Sequence, residues 1–584
     1  MKKNDDIILD ITSLSGQGVG IGRYDGMAVF VDRTAVGDRV EVHIIKVKKN
    51  YSVGKLSKII IPSSSRKEVD CPAFSRCGGC AFRHIHYKNE LEIKGLGVYD
   101  AMKRIGSLDI KPKEILPAPN EVGYRNKAQY PVSTDENGLY YGFYARHSHR
   151  VVRSEGCKLQ PPIFEKTMKL IKIWADKNGV SAYDETKGEG ILRHILLRYG
   201  EKTGELMVVA VINADSLPFA EDLTEILRES LGENLASLQY NVNKEDTNVI
   251  LGEKTVKVFG NDYITDEICG VKVRISAESF YQVNRAAAEV LYKKAAAYIE
   301  KEDKVILDLF CGIGTVGLSV LNLCGREGRR LVGVEIVPAA IENAKQNALL
   351  GGVQNARFIL GDATVAAEKL SRENIVPDTV IVDPPRKGCD EKLLKIIAYD
   401  FAPKKLIYIS CDPATLARDS KILSENGYEL KEYSPVDLFP GTAHVETVAL
   451  LSRQINVHKM KLNSTPFEMI KSGEKTIELR LFDEKRQKIK VGDKIVFTDN
   501  TTSETLNTSV VKLHRFNTFN ELYKSLPLLK CGYTTENVDK ATPTDMEQYY
   551  SVEEQRKYGV VGIELCRPEQ ITDESVVLLT KAHK

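Results

Sequence analysis

The stretch Val305-Ile-Leu-Asp308-Leu-Phe310-Cys311-Gly312-Ile-Gly314-Thr-Val-Gly317 decides the fold of the chain's best-patterned region. An apolar run carries an acid and opens into glycines spaced G-x-G-x-x-G. It predicts a buried strand, a tight loop and the start of a helix. Glycines there let a ligand reach the backbone, and Glu335, ending the next predicted strand, is placed to take two ribose hydroxyls. Working outward, Leu331–Glu335, Ala356–Leu360, Thr379–Asp383 and Leu406–Ser410 read as further strands, separated by helical patterns such as Pro338–Ala348. This alternation predicts a doubly wound, Rossmann-like parallel sheet that binds ligands at the carboxyl ends of its strands.

The glycine loop suits NAD and S-adenosylmethionine alike. Asp308, Cys311 and the block Asp383-Pro-Pro-Arg386 lean toward methyl transfer, because a proline pair makes a stiff turn that holds polar groups against a flat base. An isolated Asp-Pro-Pro also ends strands with no ligand involved. Asp362 is either a contact to an adenine amine or the N-cap of a helix beginning at Ala363. Cys411, in Ile409-Ser-Cys-Asp-Pro-Ala-Thr415, stands at the end of the fifth strand. A thiol on that edge suggests covalent catalysis, and its place before a helix start at Pro413 predicts a favoured thiolate. The plain alternative is a buried structural cysteine. Pyrimidine C5 is a poor nucleophile until a thiolate adds to C6, after which a base must remove the C5 proton. Glu446, just before the apolar strand Val448–Leu451, is the candidate base, and His444 is its rival.

With 584 residues the chain exceeds one core, so several domains are expected. Net charge is +2, so no global field advertises nucleic acid, and an RNA site must come from local clustering of Lys and Arg. No apolar run approaches a membrane span and the N-terminus leads into no apolar h-region. Eleven cysteines do not tile the chain as disulfides would, and a cytoplasmic, reducing compartment is expected. Residues 1–61 hold short strands and Gly-rich turns, the pattern of an OB-like β-barrel. Its stretch Lys46-Val-Lys-Lys-Asn-Tyr51 is either an RNA grip or a solvated edge with protective lysines. Residues 62–275 read as a central α/β domain, 276–453 as the catalytic domain and 456–584 as a further unit. Cys71, Cys77 and Cys80 are close in sequence and Cys157 is distant, a four-thiolate site for zinc or a [4Fe–4S] cluster. The three-plus-one spacing favours iron–sulfur.

Taken together, these blocks resemble the RNA uracil-C5 methyltransferases, in particular their cluster-containing 23S ribosomal RNA branch, over residues 6–453. The resemblance implies that the barrel is a TRAM domain. It implies that Gln282 of the Ser279-Phe-Tyr-Gln-Val-Asn284 block, Phe310, Glu335, Asp362 and Asp383 bind S-adenosylmethionine, with Cys411 as nucleophile and Glu446 as base. Cys71, Cys77, Cys80 and Cys157 match the family's cluster cysteines. Arg125, Lys127 and Gln129 fall in a central-domain block and are candidate RNA contacts, with an exposed polar strand as the equal alternative. Residues 456–584 depart from that family. Pro466–Arg480, with Lys475, Glu478 and Arg480, and the later Tyr549–Ile563 resemble an ASCH domain, a PUA-related β-barrel and RNA-binding module.

The expected function is methylation of uridine C5 in 23S rRNA or a ribosomal assembly intermediate, by a monomer. A tRNA-directed uracil-C5 enzyme is the first alternative. An adenine amino-methyltransferase, an NAD-dependent oxidoreductase and a non-catalytic RNA-binding protein are the others.

Overall fold

The computed structural model describes residues 1–373 and 375–566, so residues 567–584 of the last expected domain lie outside the described residues. Two compact units form: residues 1–397 with 403–452, and residues 398–402 with 453 onward.

The first unit opens with a closed five-stranded barrel, strand order Asp6–Leu14, Gly20–Tyr24, Met27–Val31, Tyr51–Ile61, Arg39–Val47. Alternation closes it: Ile7, Leu9 and Ile11 face a core shared with Val29, Val40 and Val42, while their neighbours face water. Met27–Val31 pairs with Tyr51–Ile61 in parallel. Next comes a seven-stranded mixed sheet spanning Lys127–Gly260, backed by the helices Pro162–Asn178 and Ala220–Leu231 around Trp174. The helix Tyr87–Arg104 instead packs on the helix Pro413–Glu425 of the catalytic region.

The catalytic region is a seven-stranded sheet in the order Ala356–Leu360, Arg330–Glu335, Val305–Leu309, Thr379–Val382, Lys405–Ser410, Glu446–Arg453, Tyr428–Val436. The first five strands are parallel, and Glu446–Arg453 enters antiparallel beside Lys405–Ser410. The hairpin Tyr263–Ile268/Val271–Ser276 and the helix Arg285–Ala296 share this region's apolar core.

The second unit holds a five-stranded sheet in the order Val457–Leu462, Lys494–Asp499, Thr505–Phe516, Val560–Cys566, Ile477–Leu481. A barrel was expected; among the described residues the ladder does not close. Lys475 and Arg480 both pair with Glu478, at 2.9 and 2.8 Å. Lys475 and Glu478 are buried, which makes this a buried ion-pair group. No described helix is long and apolar enough to cross a membrane.

Candidate active site

The glycine loop sits at the sheet's carboxyl edge. Asp308 is buried and accepts from the Gly317 amide at 2.9 Å, which holds the helix Thr315–Cys324 against the strand. A Cβ on Gly317 would lie 2.8 Å from the Asp308 carboxylate and 2.9 Å from Leu331, so only glycine permits that approach. Phe310 adopts φ +73°, and both it and Cys311 donate to the Val334 carbonyl. Cys311 is buried under Gly333, a packing position. Glu335 accepts from Gly312 at 3.1 Å and from the amides of Ile336 and Val337 at 2.9 Å. Its carboxylate is thereby held at the loop, beside the exposed apolar side chains Ile336 and Val337. Asp362 caps the helix Ala363–Arg372 through Thr364 and Val365, so its N-cap role is realised. Gln282 is buried, and its carbonyl accepts from Asn126. Asn284 caps the helix Arg285–Ala296 and also donates to the Leu438 carbonyl at 3.0 Å.

Cys411 lies one step beyond the last pair of an antiparallel ladder, Ser410 opposite Thr447. The same register therefore sets Glu446 across from it. Glu446 is buried and its Oε2 has no hydrogen-bond partner among the described residues. Burial, then the neighbouring Asp383, raise its carboxyl well above the usual range, against the pull of Arg386. Asp383 rises to about 7 by burial. Asp308, buried beside Asp383, rises to about 8, and its Oδ1 is also unpartnered.

The favoured thiolate expected at Cys411 is not what this setting produces. Burial and the facing acids Glu446 and Asp383 push the thiol up to about 11, and Arg386 only tempers them. The helix does begin at Pro413, but Asp412 takes the amides of Ala414 and Thr415. The cap thus answers the helix N-terminus with a carboxylate before its field reaches the sulfur. His444 is not opposed to Cys411 in the ladder. It packs edge-on against Phe439 at 5.9 Å, and burial lowers its pKa.

Sequence reasoning missed what fixes the loop before Glu446. Lys94 is buried and gives its three N–H groups to Glu90 at 2.7 Å, Asp437 at 2.8 Å and the Phe439 carbonyl at 3.1 Å. Glu90 also accepts from Gly441, Tyr124 donates to the Pro440 carbonyl, and Ala81 and Phe82 both donate to the Gly441 carbonyl. The only sequence signal was a Glu90/Lys94 pair at helical spacing, indistinguishable from a surface pair.

Cys71, Cys77, Cys80 and Cys157 line one cavity of about 80 Å³. Burial and mutual repulsion raise Cys77, Cys80 (to about 12) and Cys157. Arg125, whose Nε is buried without a partner among the described residues, lines the same cavity. Among the described residues no three His, Cys, Asp or Glu side chains are grouped as around a single metal ion. Lys127 lies opposite Arg198 in the ladder, and burial with that cation brings it down to about 8. Lys46, Lys48 and Lys49 are exposed beside Tyr51, whose ring meets Phe30 edge-on at 5.6 Å.

Strand order, glycine loop and carboxyl-edge acids define a Rossmann-like methyltransferase domain. Comparison with known proteins narrows that class. Residues 216–454 match the tRNA (uracil-5-)-methyltransferase family, residues 7–57 the TRAM domain and residues 460–569 the ASCH domain. An uncharacterized RNA methyltransferase of Bacillus cereus is 42% identical over 455 residues, 78% of this chain and 98% of that protein. Another from Clostridium tetani is 42% identical over 77% of this chain and 97% of its own length. The crystal structure of Pyrococcus abyssi tRNA (uracil-54, C5)-methyltransferase with S-adenosyl-L-homocysteine superposes with a TM-score of 0.61 at 28% identity, covering 76% of this chain and 99% of that one. The chain belongs to the RNA (uracil-C5)-methyltransferase family, with a TRAM domain before its catalytic region and an ASCH domain after it.

Proposed function

We propose that this chain methylates C5 of a uridine in RNA, with S-adenosylmethionine as donor, in the cytoplasm. The observation that carries the reading is the facing pair Cys411 and Glu446 at the sheet edge that holds the glycine loop. When bound, S-adenosylmethionine supplies an electrophilic methyl group. Glu335 and the Gly312 amide are the ribose-side contacts, with Gln282, Phe310, Asp362 and Asp383 around the rest.

The Cys411 thiol gives its proton to solvent and the thiolate forms a bond to C6; the ring's electrons move to C5, which takes the methyl group, and S-adenosylhomocysteine leaves. Glu446 then removes the C5 proton, the C5–C6 double bond re-forms and the sulfur leaves. In its carboxylate form Glu446 is the stronger base for having its pKa raised by burial. The resting thiol stays protonated, which keeps it unreactive until the crevice is filled. C6 is inaccessible inside a stacked helix, so the target base must leave the stack.

The preferred substrate is 23S rRNA, on the strength of the TRAM barrel together with the four converging cysteines. We further propose a [4Fe–4S] cluster on Cys71, Cys77, Cys80 and Cys157, serving to hold the segment that bonds to Gly441. Metal and sulfide analysis of the anaerobically purified chain tests it; zinc, or no metal, would reject it. A tRNA substrate is the second reading, favoured by the superposed tRNA enzyme. Nucleoside mass spectrometry after incubation with S-adenosylmethionine and separate pools of unmodified 23S rRNA and tRNA decides between them. 5-Methyluridine in the 23S pool alone is expected; in tRNA alone, it would reverse the substrate.

A further inference from the structure

A cavity of about 280 Å³ opens on Cys411 from a second side. Neither Glu446 nor Asp383 lines it, nor does Gln282 or Phe310, so it is not the crevice where the thiol meets the acids. Its floor is apolar, with Phe82, Ile93 and Val98. Its polar groups are the exposed Gln17 on a barrel loop, His444, Arg386 and Asp412, whose carboxylate takes the Ala414 and Thr415 amides. The Gln17 amide and the His444 ring have no hydrogen-bond partner, and Arg386 has no ion pair, among the described residues. Lys94 also borders the space, but its three N–H groups are spent on Glu90, Asp437 and Phe439.

The walls are held in place. The barrel loop turns on Ser15, whose Oγ accepts from Gln17 and Val19. At Gly18, with φ +75°, a Cβ would stand 2.9 Å from Ala81 and 3.1 Å from Phe82, so the loop lies directly on the cavity floor. Ala81 and Phe82 in turn are bonded to Gly441, in the loop that leads to His444. Barrel, helix Tyr87–Arg104 and catalytic loop thus enclose one space beside the nucleophile.

We propose that this cavity receives the nucleobase adjacent to the target uridine, with Gln17 and His444 reading its edge and Arg386 meeting the phosphate between the two nucleotides. An apolar floor with unpaired hydrogen-bonding groups at its rim suits a flat heterocycle, and the volume is on the scale of one base. The phosphate joining two splayed nucleotides would pass the guanidinium, which makes no ion pair within 4 Å among the described residues and feels Glu446 and Cys411 only at longer range. The TRAM barrel then takes part in choosing the site and is not only a tether. This inference rests on the uridine-C5 reading.

The test uses the full chain and short transcripts carrying the mapped uridine. These are intact, or bear one abasic nucleotide at either of the two positions on each side. For the wild type, one abasic position should lower kcat/KM by about 10-fold or more. Ala101→Leu, which fills the cavity from the helix, should lose a similar factor on intact RNA and lose nothing further on that abasic RNA. Gln17→Ala, in an exposed loop, should raise KM with kcat and S-adenosylmethionine affinity unchanged. Equal rates on all four abasic RNAs would overturn the subsite, as would losses that multiply instead of saturating. Absence of 5-methyluridine on every intact RNA would instead fail the uridine reading itself, and the subsite with it.

Discussion

The Lys94 knot and the Cys411 crevice share one loop, Asp437 to Glu446; in the first all three lysine N–H groups are spent and one carboxyl oxygen, Asp437 Oδ2, is left unpaired, while in the second Glu446 Oε2 and Asp308 Oδ1 are unpaired and no lysine answers them, among the described residues. Both take charge out of water, which costs several kcal/mol per ion unless it is answered. In the knot, burial and Asp437 raise Glu90, and Lys94 and the Gly441 amide oppose them. In the crevice, burial raises Asp383, Asp308 and Glu446, Asp383 adds to it at the other two, and the Gly317 amide opposes it at Asp308 and Arg386 at Glu446. A compensated cluster holds a shape. An uncompensated one stores reactivity, because its groups gain partners only when substrate arrives.

That contrast can be broken by mutation. Cys411→Ala should abolish 5-methyluridine formation and covalent trapping on 5-fluorouridine RNA, while S-adenosylmethionine binding measured by calorimetry persists and the melting temperature does not fall. Full activity would remove Cys411 as nucleophile. Glu446→Gln should lower turnover by about 10²–10⁴-fold, accumulate the RNA–protein adduct and leave stability unchanged or improved. Normal turnover would return the base role to His444. Lys94→Met acts on the other cluster and should cost about 3–5 kcal/mol of stability, read by chemical denaturation, because Glu90 and Asp437 lose their cation. An unchanged denaturation midpoint would show that the knot is not what holds the loop.

The smallest effect sharpens the electrostatic side. Alkylation of Cys411 by iodoacetamide, followed by peptide mass spectrometry, should be slow at neutral pH and rise toward a midpoint near pH 11. Because Glu446 raises the thiol and Arg386 lowers it, Glu446→Gln should move the midpoint down and Arg386→Ala should move it up. The raised acids also carry a stability consequence. Their folded pKa values exceed the unfolded ones, so folding disfavours the charged form. Their contribution is best in acid, below the unfolded values, and is lost as pH rises through about 7 to 8.

Much of the catalytic sheet was legible because its parallel strands are buried on both faces and read as unbroken apolar runs ending in punctuation: Asp308 with its glycines, Asp383 with its prolines, Cys411 before Pro413. Glu446 could be suspected from its place before a strand. Its position across from Cys411 depends on that strand entering antiparallel, which the local pattern does not encode. The thiol's protonation state was misread because a helix N-terminus was counted without the Asp412 cap and the facing acids. Lys94 was invisible as a site residue because Asp437 and Phe439, which complete its bonding, lie on another element far along the chain.

The bond from Lys94 to Asp437 spans 343 positions of the chain. At the usual pace of synthesis, the helix carrying Lys94 emerges roughly 20–70 s before the strand-end aspartate that completes its bonding. Through that interval the lysine has only its helix neighbour Glu90, and the loop that carries Glu446 does not yet exist. The nascent chain therefore holds all of its barrel and central sheet well before the strand Glu446–Arg453 completes the catalytic sheet.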